Sequence, residues 1–266
     1  MFDNTIDSNI ETLYGKNFRH NKPITWKEKI KLYPVIFEYI DEFSSSIECL
    51  IYDPMDYEDF TIATLPRLYF LTGVAEYEYT GNIEEYKKNK LRVSLFMKLQ
   101  MLLQLVLKNQ DYDFIKKNKY WLIRLYSNKE KTDYIDINSN DFEELRKIIL
   151  QQNGCNYSDE FIHNDIKNYL DEENKSNKNG VTITFEDKKE IIMLDLHIQD
   201  ETIVDKMTIR RVNRICDKSL SRENYVMQTT AAMSGMVTFK QNPNPWFGKS
   251  SNNTLFDSYF KETKQV

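Results

Sequence analysis

Between Leu91 and Leu107 the chain reads LRVSLFMKLQMLLQLVL, which is apolar around most of the circumference of a helix. Such a helix is stable only when neighbours cover it on more than one side, so the surrounding chain has to be arranged about it. Arg92, Lys98, Gln100 and Gln104 interrupt the run, and it falls short of the roughly 20 apolar residues that a bilayer span requires. A core helix from about Lys90 to Lys108 is expected, and no membrane span.

The flanking segments supply candidates for that cover. From Ile36 the apolar positions follow a helical period, with Ile36, Phe37, Ile40, Phe43, Ile47, Leu50 and Ile51 on one face and Glu38, Asp41, Glu42 and Glu48 mostly on the other. A second helix is expected after Thr64 as N-cap, with Pro66 in its first turn and a bend at Gly73. Ile24, Trp26, Ile30 and Leu32 alternate with polar residues, which marks a strand with a turn at Lys27 to Lys29. YWLIRLY (120–126) and YIDI (134–137), separated by a polar stretch, read as a β-hairpin. Asn140 with Glu143 has capping-box spacing, opening a helix that carries Phe142, Leu145, Ile148 and Ile149 and stops at Asn153-Gly154.

The fold expected is mainly α with a small β component. Residues 1–22 are polar and lack a clear period, so they read as a flexible or loosely docked arm. Residues 23–170 form a helical N-terminal domain with the hairpin near 120–137. The stretch 171–180, DEENKSNKNG, has no apolar anchor and reads as a linker. Residues 181–266 then form a helical C-terminal region with an aromatic tail. Within it Thr184 and Asp187 open one helix, a basic helix spans Met207 to Lys218, and another spans Ser221 to Ser234, stopped by Gly235.

The chemistry-bearing residues are sparse. Cys49, Cys155 and Cys216 are odd in number and widely spaced, fitting neither a disulfide framework nor a zinc ribbon, and read as buried small apolar residues in a reducing cytoplasm. His20, His163 and His197 are isolated and lack partners at metal-ligand spacing. Pairs such as Asp41-Glu42 and Glu143-Glu144 diverge on a helix and do not converge as an acid and a base. No G-x-S-x-G, Walker A or G-x-G-x-x-G motif is present. The expectation is a non-enzyme without metal or cofactor. The amino terminus lacks a basic region followed by an apolar one, so no secretory signal is expected. A net charge of -5 with both signs interspersed weighs against a general nucleic-acid binder.

Two patterns remain as candidate partner-binding elements. Lys206, Arg210, Arg214 and Lys218 follow one another at i, i+4 spacing with Arg211 beside them, and Ile209, Val212 and Cys216 lie opposite. Like charges at that spacing disfavour an isolated helix by roughly 0.2–0.5 kcal/mol per pair, so either an acidic protein surface or nucleic acid docks there, or Asp205 and Asp217 balance a solvated face. Trp246-Phe247, after Asn-Pro-Asn-Pro, is either an anchor for a protein partner or a lid on its own domain.

Three segments also carry a resemblance. Residues 30–73, with a YPV entry, an aromatic-rich helix and a Leu-rich second helix, resemble the amino-terminal part of tail or baseplate proteins of bacteriophages that infect low-GC bacteria. IDINSNDFEELRKIILQQN (135–153) resembles their DFxELRxIIxxQN helix, and MTIRRVNRI (207–215) with AAMSGMVTFK (231–240) and Trp246 resembles their carboxy-terminal signature. The segments cover about half of the chain, in matching order, and the chain departs from the pattern after Asp53 and in its short 111–119 connector. The resemblance implies a tail or baseplate role, in the virion or as a non-virion assembly chaperone. It also implies synthesis in the host cytoplasm, contacts with other tail or baseplate proteins, a tape-measure or hub protein among them, and no enzyme activity or cofactor. A regulatory nucleic-acid-binding role for the basic helix 206–218 is the alternative.

Overall fold

The computed structural model describes residues 8–81, 83–155 and 183–234. They belong to two compact units, the first holding 8–155 and the second 183–234. The protein is mainly α-helical, with one two-stranded and one three-stranded antiparallel sheet. The expected linker at 171–180 lies outside the described residues.

The first unit opens with α1 (Ser8–Arg19), where a flexible or loosely docked arm without regular structure was expected. Ile10 and Phe18 are buried and Tyr14 is half-buried at a spacing of four residues, so one apolar residue per turn suffices to dock the helix. The hairpin of β1 (Ile24–Trp26) and β2 (Ile30–Leu32) follows in the expected frame, pairing Ile24 with Leu32 and Trp26 with Ile30. All four of those side chains are fully buried. Its backbone edge is closed by amide side chains: Gln110 Oε1 accepts from Lys31 N at 3.0 Å, Gln152 Nε2 donates to Leu32 O at 3.1 Å, and Asn153 Oδ1 accepts from Val35 N at 2.9 Å.

The helical face expected from Ile36 to Ile51 is broken into a 3-10 turn at Phe37–Tyr39, α2 (Ile40–Ser46) and α3 (Glu48–Ile51). After α4 (Phe60–Ala63), Thr64 is the C-cap of that helix and not the N-cap of the next. α5 (Arg67–Thr72) starts after Pro66, whose ψ of 141° puts it outside the helix, and Gly73 ends it where a bend was expected. α6 (Ala75–Thr80) and α7 (Ile83–Lys88) lead into α8 (Lys90–Leu107). α8 is the central element, packed against α2, α3, α5, α7 and β2, with Leu95, Leu99, Leu102, Leu103, Val106 and Leu107 essentially inaccessible to solvent.

β4 (Tyr120–Tyr126) and β5 (Tyr134–Ile137) form the expected hairpin, and β3 (Tyr112–Lys117), which was read as a connector, adds a third strand on the other side of β4. Ile123 pairs with Phe114 on one side and Ile137 on the other, and Phe114 and Trp121 pack against the cluster of Val74, Ala75, Val93 and Phe96. α9 (Ser139–Asn153) has its capping box two residues earlier than expected, with Asn138 as N-cap and Asp141 as its partner, and it ends at Gly154 in the left-handed region. Its Arg146 is 3% exposed and donates to Leu50 O at 2.6 Å, while Arg67 donates to Tyr52 O. Glu143 lies 3.4 Å from Arg67 and 3.3 Å from Arg146, so one carboxylate holds the two guanidiniums that satisfy the last carbonyls of α3.

The second unit contains α10 (Phe185–Asp195), α11 (Thr202–Asp205) and α12 (Ile209–Met233). Thr184 and Asp187 form the capping box in front of α10, as their spacing predicts. The two helices expected between 207 and 234 are one continuous helix, because nothing in DKSLSRE carries a Gly or Pro that would stop it. No helix among the described residues is long and apolar enough to cross a membrane.

Candidate interaction surface

α12 carries the expected basic residues, and its geometry divides them. Lys206 is not on it: it is the C-cap of α11, and Thr208 follows as the N-cap of α12, its hydroxyl accepting from Arg211 N at 3.3 Å. The ladder of bases therefore begins at Arg210. Arg211, Arg214 and Lys218 are exposed and Arg210 is half-buried. Ile209, Val212 and Cys216 are buried on the opposite side, as expected, with Ser219 continuing that seam.

Of the two acids expected to balance the bases, Asp205 is engaged elsewhere. Lys189 of α10 lies 2.8 Å from Asp205 and 3.0 Å from Glu201, and these hydrogen bonds hold the Lys189 ammonium above its ordinary range. Burial pushes the Asp217 carboxyl up, against the pull of Lys188 and Lys218. The first turn of α12 thus carries bases and no acid, at the end where the helix dipole already favours negative charge.

α10 runs beside α12 in the same direction. Lys188 Nζ donates to Asn213 Oδ1 at 2.9 Å near one end, and Arg222 is ion-paired with Asp195 at the other. Arg222, which the basic pattern did not include, is thus a fastener between helices. Around this pair a cleft of about 420 Å³ opens between Ile191, Leu194, Asp195 and His197 on one side and Ser219, Leu220, Arg222 and Glu223 on the other. His197 closes the end of α10 in a left-handed conformation, φ 53°.

The exposed apolar residues of this unit were missed in the charge pattern. In the described part of this unit the buried hydrophobics are Ile192, Val204, Ile209, Val212 and Cys216. Its exposed large ones are Leu194, Leu196, Ile203, Val226, Met227 and Met233, more than it buries. The signal that could have found two of them is the repeat of the seam: Ile209, Val212, Cys216 and Ser219 set a three-and-four spacing that Val226 and Met233 continue further along α12.

Other groups with potential chemistry have structural surroundings. Burial raises the thiols of Cys49, Cys155 and Cys216, the second to about 11, so none is an activated nucleophile. Among the described residues no group of three or more His, Cys, Asp or Glu side chains could hold a metal ion. Trp246 and Phe247 lie outside the described residues. No family model, curated protein or solved structure matches the chain.

Proposed function

We propose that this protein is a structural or assembly component of a bacteriophage tail or baseplate that works by binding other proteins, with its second unit as the contact module. The observation that carries the protein-binding reading is the exposure of Leu194, Leu196, Ile203, Val226, Met227 and Met233 in a unit whose described buried core is smaller than that set. Exposed apolar surface rimmed by charge is the signature of an interface. The tail setting rests on the three co-ordered segments, of which 30–73 builds β2 to α5 and 135–153 builds β5 and α9.

The test is quantitative mass spectrometry of purified phage particles beside the infected-cell lysate, combined with affinity capture of tail proteins. A low, fixed ratio to the major tail protein in particles supports a built-in subunit. Absence from particles with capture of tail components supports an assembly chaperone. No association with any tail component overturns the tail reading, and salt-sensitive DNA binding lost on reversing Arg211 and Arg214 would point to the regulatory alternative instead.

A further inference from the structure

The three-stranded sheet has an end strand, β3, whose outer backbone is open. Tyr126 N donates to Asp111 O at 3.0 Å. The alternation of an antiparallel ladder then turns the amides and carbonyls of Asp113, Ile115 and Lys117 toward β4 and those of Tyr112, Phe114 and Lys116 away from it. Among the described residues none bonds to those outward groups. The register with β4 runs unbroken from Tyr112 to Lys117, without the bulge or proline that commonly blunts an edge.

We propose that this edge takes β3 of a second copy of the chain, antiparallel, joining the two three-stranded sheets into one. The charges of DYDFIKKNK (111–119) select that occupant. Asp111 and Asp113 stand at one end and Lys116, Lys117 and Lys119 at the other, so an antiparallel copy sets acid against base, whereas an in-register parallel copy sets like against like. Lysines on an edge ordinarily repel a second strand. Here they are confined to one end, and Lys116 is already held by Glu76 at 2.6 Å. Lys117 is exposed. Asp113 is 46% exposed while accepting from Tyr126 Oη at 2.8 Å, with Lys131 3.7 Å away. Symmetry narrows the register. A two-fold axis perpendicular to the sheet keeps each face with its like, so odd-numbered residues oppose odd-numbered ones. With Ile115 opposite Ile115 of the second copy, Asp113 meets Lys117 on both sides of the axis and Asp111 meets Lys119 beyond. The half-buried Ile115 side chains then cover each other at a non-hydrogen-bonded pair, where side chains approach most closely, and Phe114 and Lys116 exchange the ladder bonds. With Phe114 on the axis Asp113 meets Ile115 instead, so the charges favour the first register. Neither the tail reading nor its alternative is needed for this pairing.

Sedimentation equilibrium of the full chain tests it. A monomer–dimer equilibrium in the micromolar range is expected, as suits a small interface, and a chain that stays monomeric to millimolar concentration overturns the proposal. Lys117→Glu alone and Asp113→Lys alone each set like charges across the axis and are expected to weaken the dimer at least about tenfold. Mixed in equal amounts the two variants restore every pair, so a heterodimer within about threefold of the parent affinity is expected. Single variants that dimerise like the parent, or a mixture no tighter than its components, overturn the proposal. Residue-resolved amide exchange of the parent chain needs no variant. Raising the protein concentration is expected to slow the Phe114 and Lys116 amides at least about tenfold and to leave Asp113 and Ile115, already bonded to β4, unchanged. Protection of Phe114 and Lys116 only after a tail protein is added would give the edge to a strand of another protein and overturn the proposal.

Discussion

At the scale of single residues, the structure places side chains where their type is unfavourable and shows what compensates. Lys27 and Glu28, the turn of the first hairpin, have φ of 48° and 61°, a pairing usually given to Asn-Gly because a Cβ at positive φ costs about 1–2 kcal/mol. Lys27 recovers part of this through its ion pair with Asp141 and its position 5.0 Å from the centre of the Trp26 ring. Glu28 is exposed. Glu28→Gly is therefore expected to raise stability by about 0.5–1 kcal/mol, after subtraction of the greater freedom of glycine in the unfolded chain, measured as a higher midpoint in urea at unchanged slope. Gly73 is the reverse case. A Cβ there would stand 2.6 Å from Nη2 of Arg92, which is 4% exposed and held by Phe70 O at 2.9 Å. Gly73→Ala should cost about 1–3 kcal/mol. In an Arg92→Met background part of that penalty disappears, giving a coupling of at least about 0.5 kcal/mol in a double-mutant cycle. Additive effects would mean that the guanidinium is not what excludes the Cβ.

At the scale of elements, what was legible in the sequence was local. α8 was legible because a helix apolar on nearly all sides has one solution, and the β1–β2 hairpin because its two alternating runs are neighbours in the chain. β3 was not. Its first four residues are half-buried and its last two exposed, so the alternation that marks β4 is missing, and its strand character comes from pairing with Tyr120–Leu125. α1 escaped because two buried residues among many polar ones leave a weak period. Boundaries were set by caps whose frame the spacing alone could not choose: both Asn138/Asp141 and Asn140/Glu143 have residues of the right type, and the end of β5 at Ile137 decides for the first. Asn138→Ala should then cost about 1 kcal/mol, through the bond its side chain accepts from Asp141 N at 3.0 Å. Asn140→Ala, within the first turn, should stay within about 0.5 kcal/mol. Thermal melts of the two variants compare them directly, and equal losses would move the cap.

At the scale of the whole molecule, the two units differ in how much of their apolar surface they keep for themselves. The first closes a core around α8, and among its described residues the hydrophobics it buries well outnumber the large ones it exposes, Leu13, Phe60 and Met97 among them. The second, in its described residues, does not reach that balance, and the deficit was invisible in the sequence because Leu194, on the helix of Ile192, and Leu196, the C-cap of that helix, differ from Ile192 only in facing outward. The basic pattern was legible as a run of residue types. Its break at Lys206 and the loss of Asp205 to Lys189 required the fold. If Leu194 and Leu196 are contact residues, Leu194→Asp with Leu196→Asp removes apolar surface from the interface without touching either core. Association with captured tail proteins is then expected to weaken at least tenfold, about 1.4 kcal/mol, while the melting of the first unit stays unchanged. A control at Met97, 58% exposed on α8 of the first unit, should leave association intact. Should Met97→Asp weaken capture and the Leu194 and Leu196 pair not, the contact module would be the first unit, and the exposed leucines of α10 would be ordinary surface.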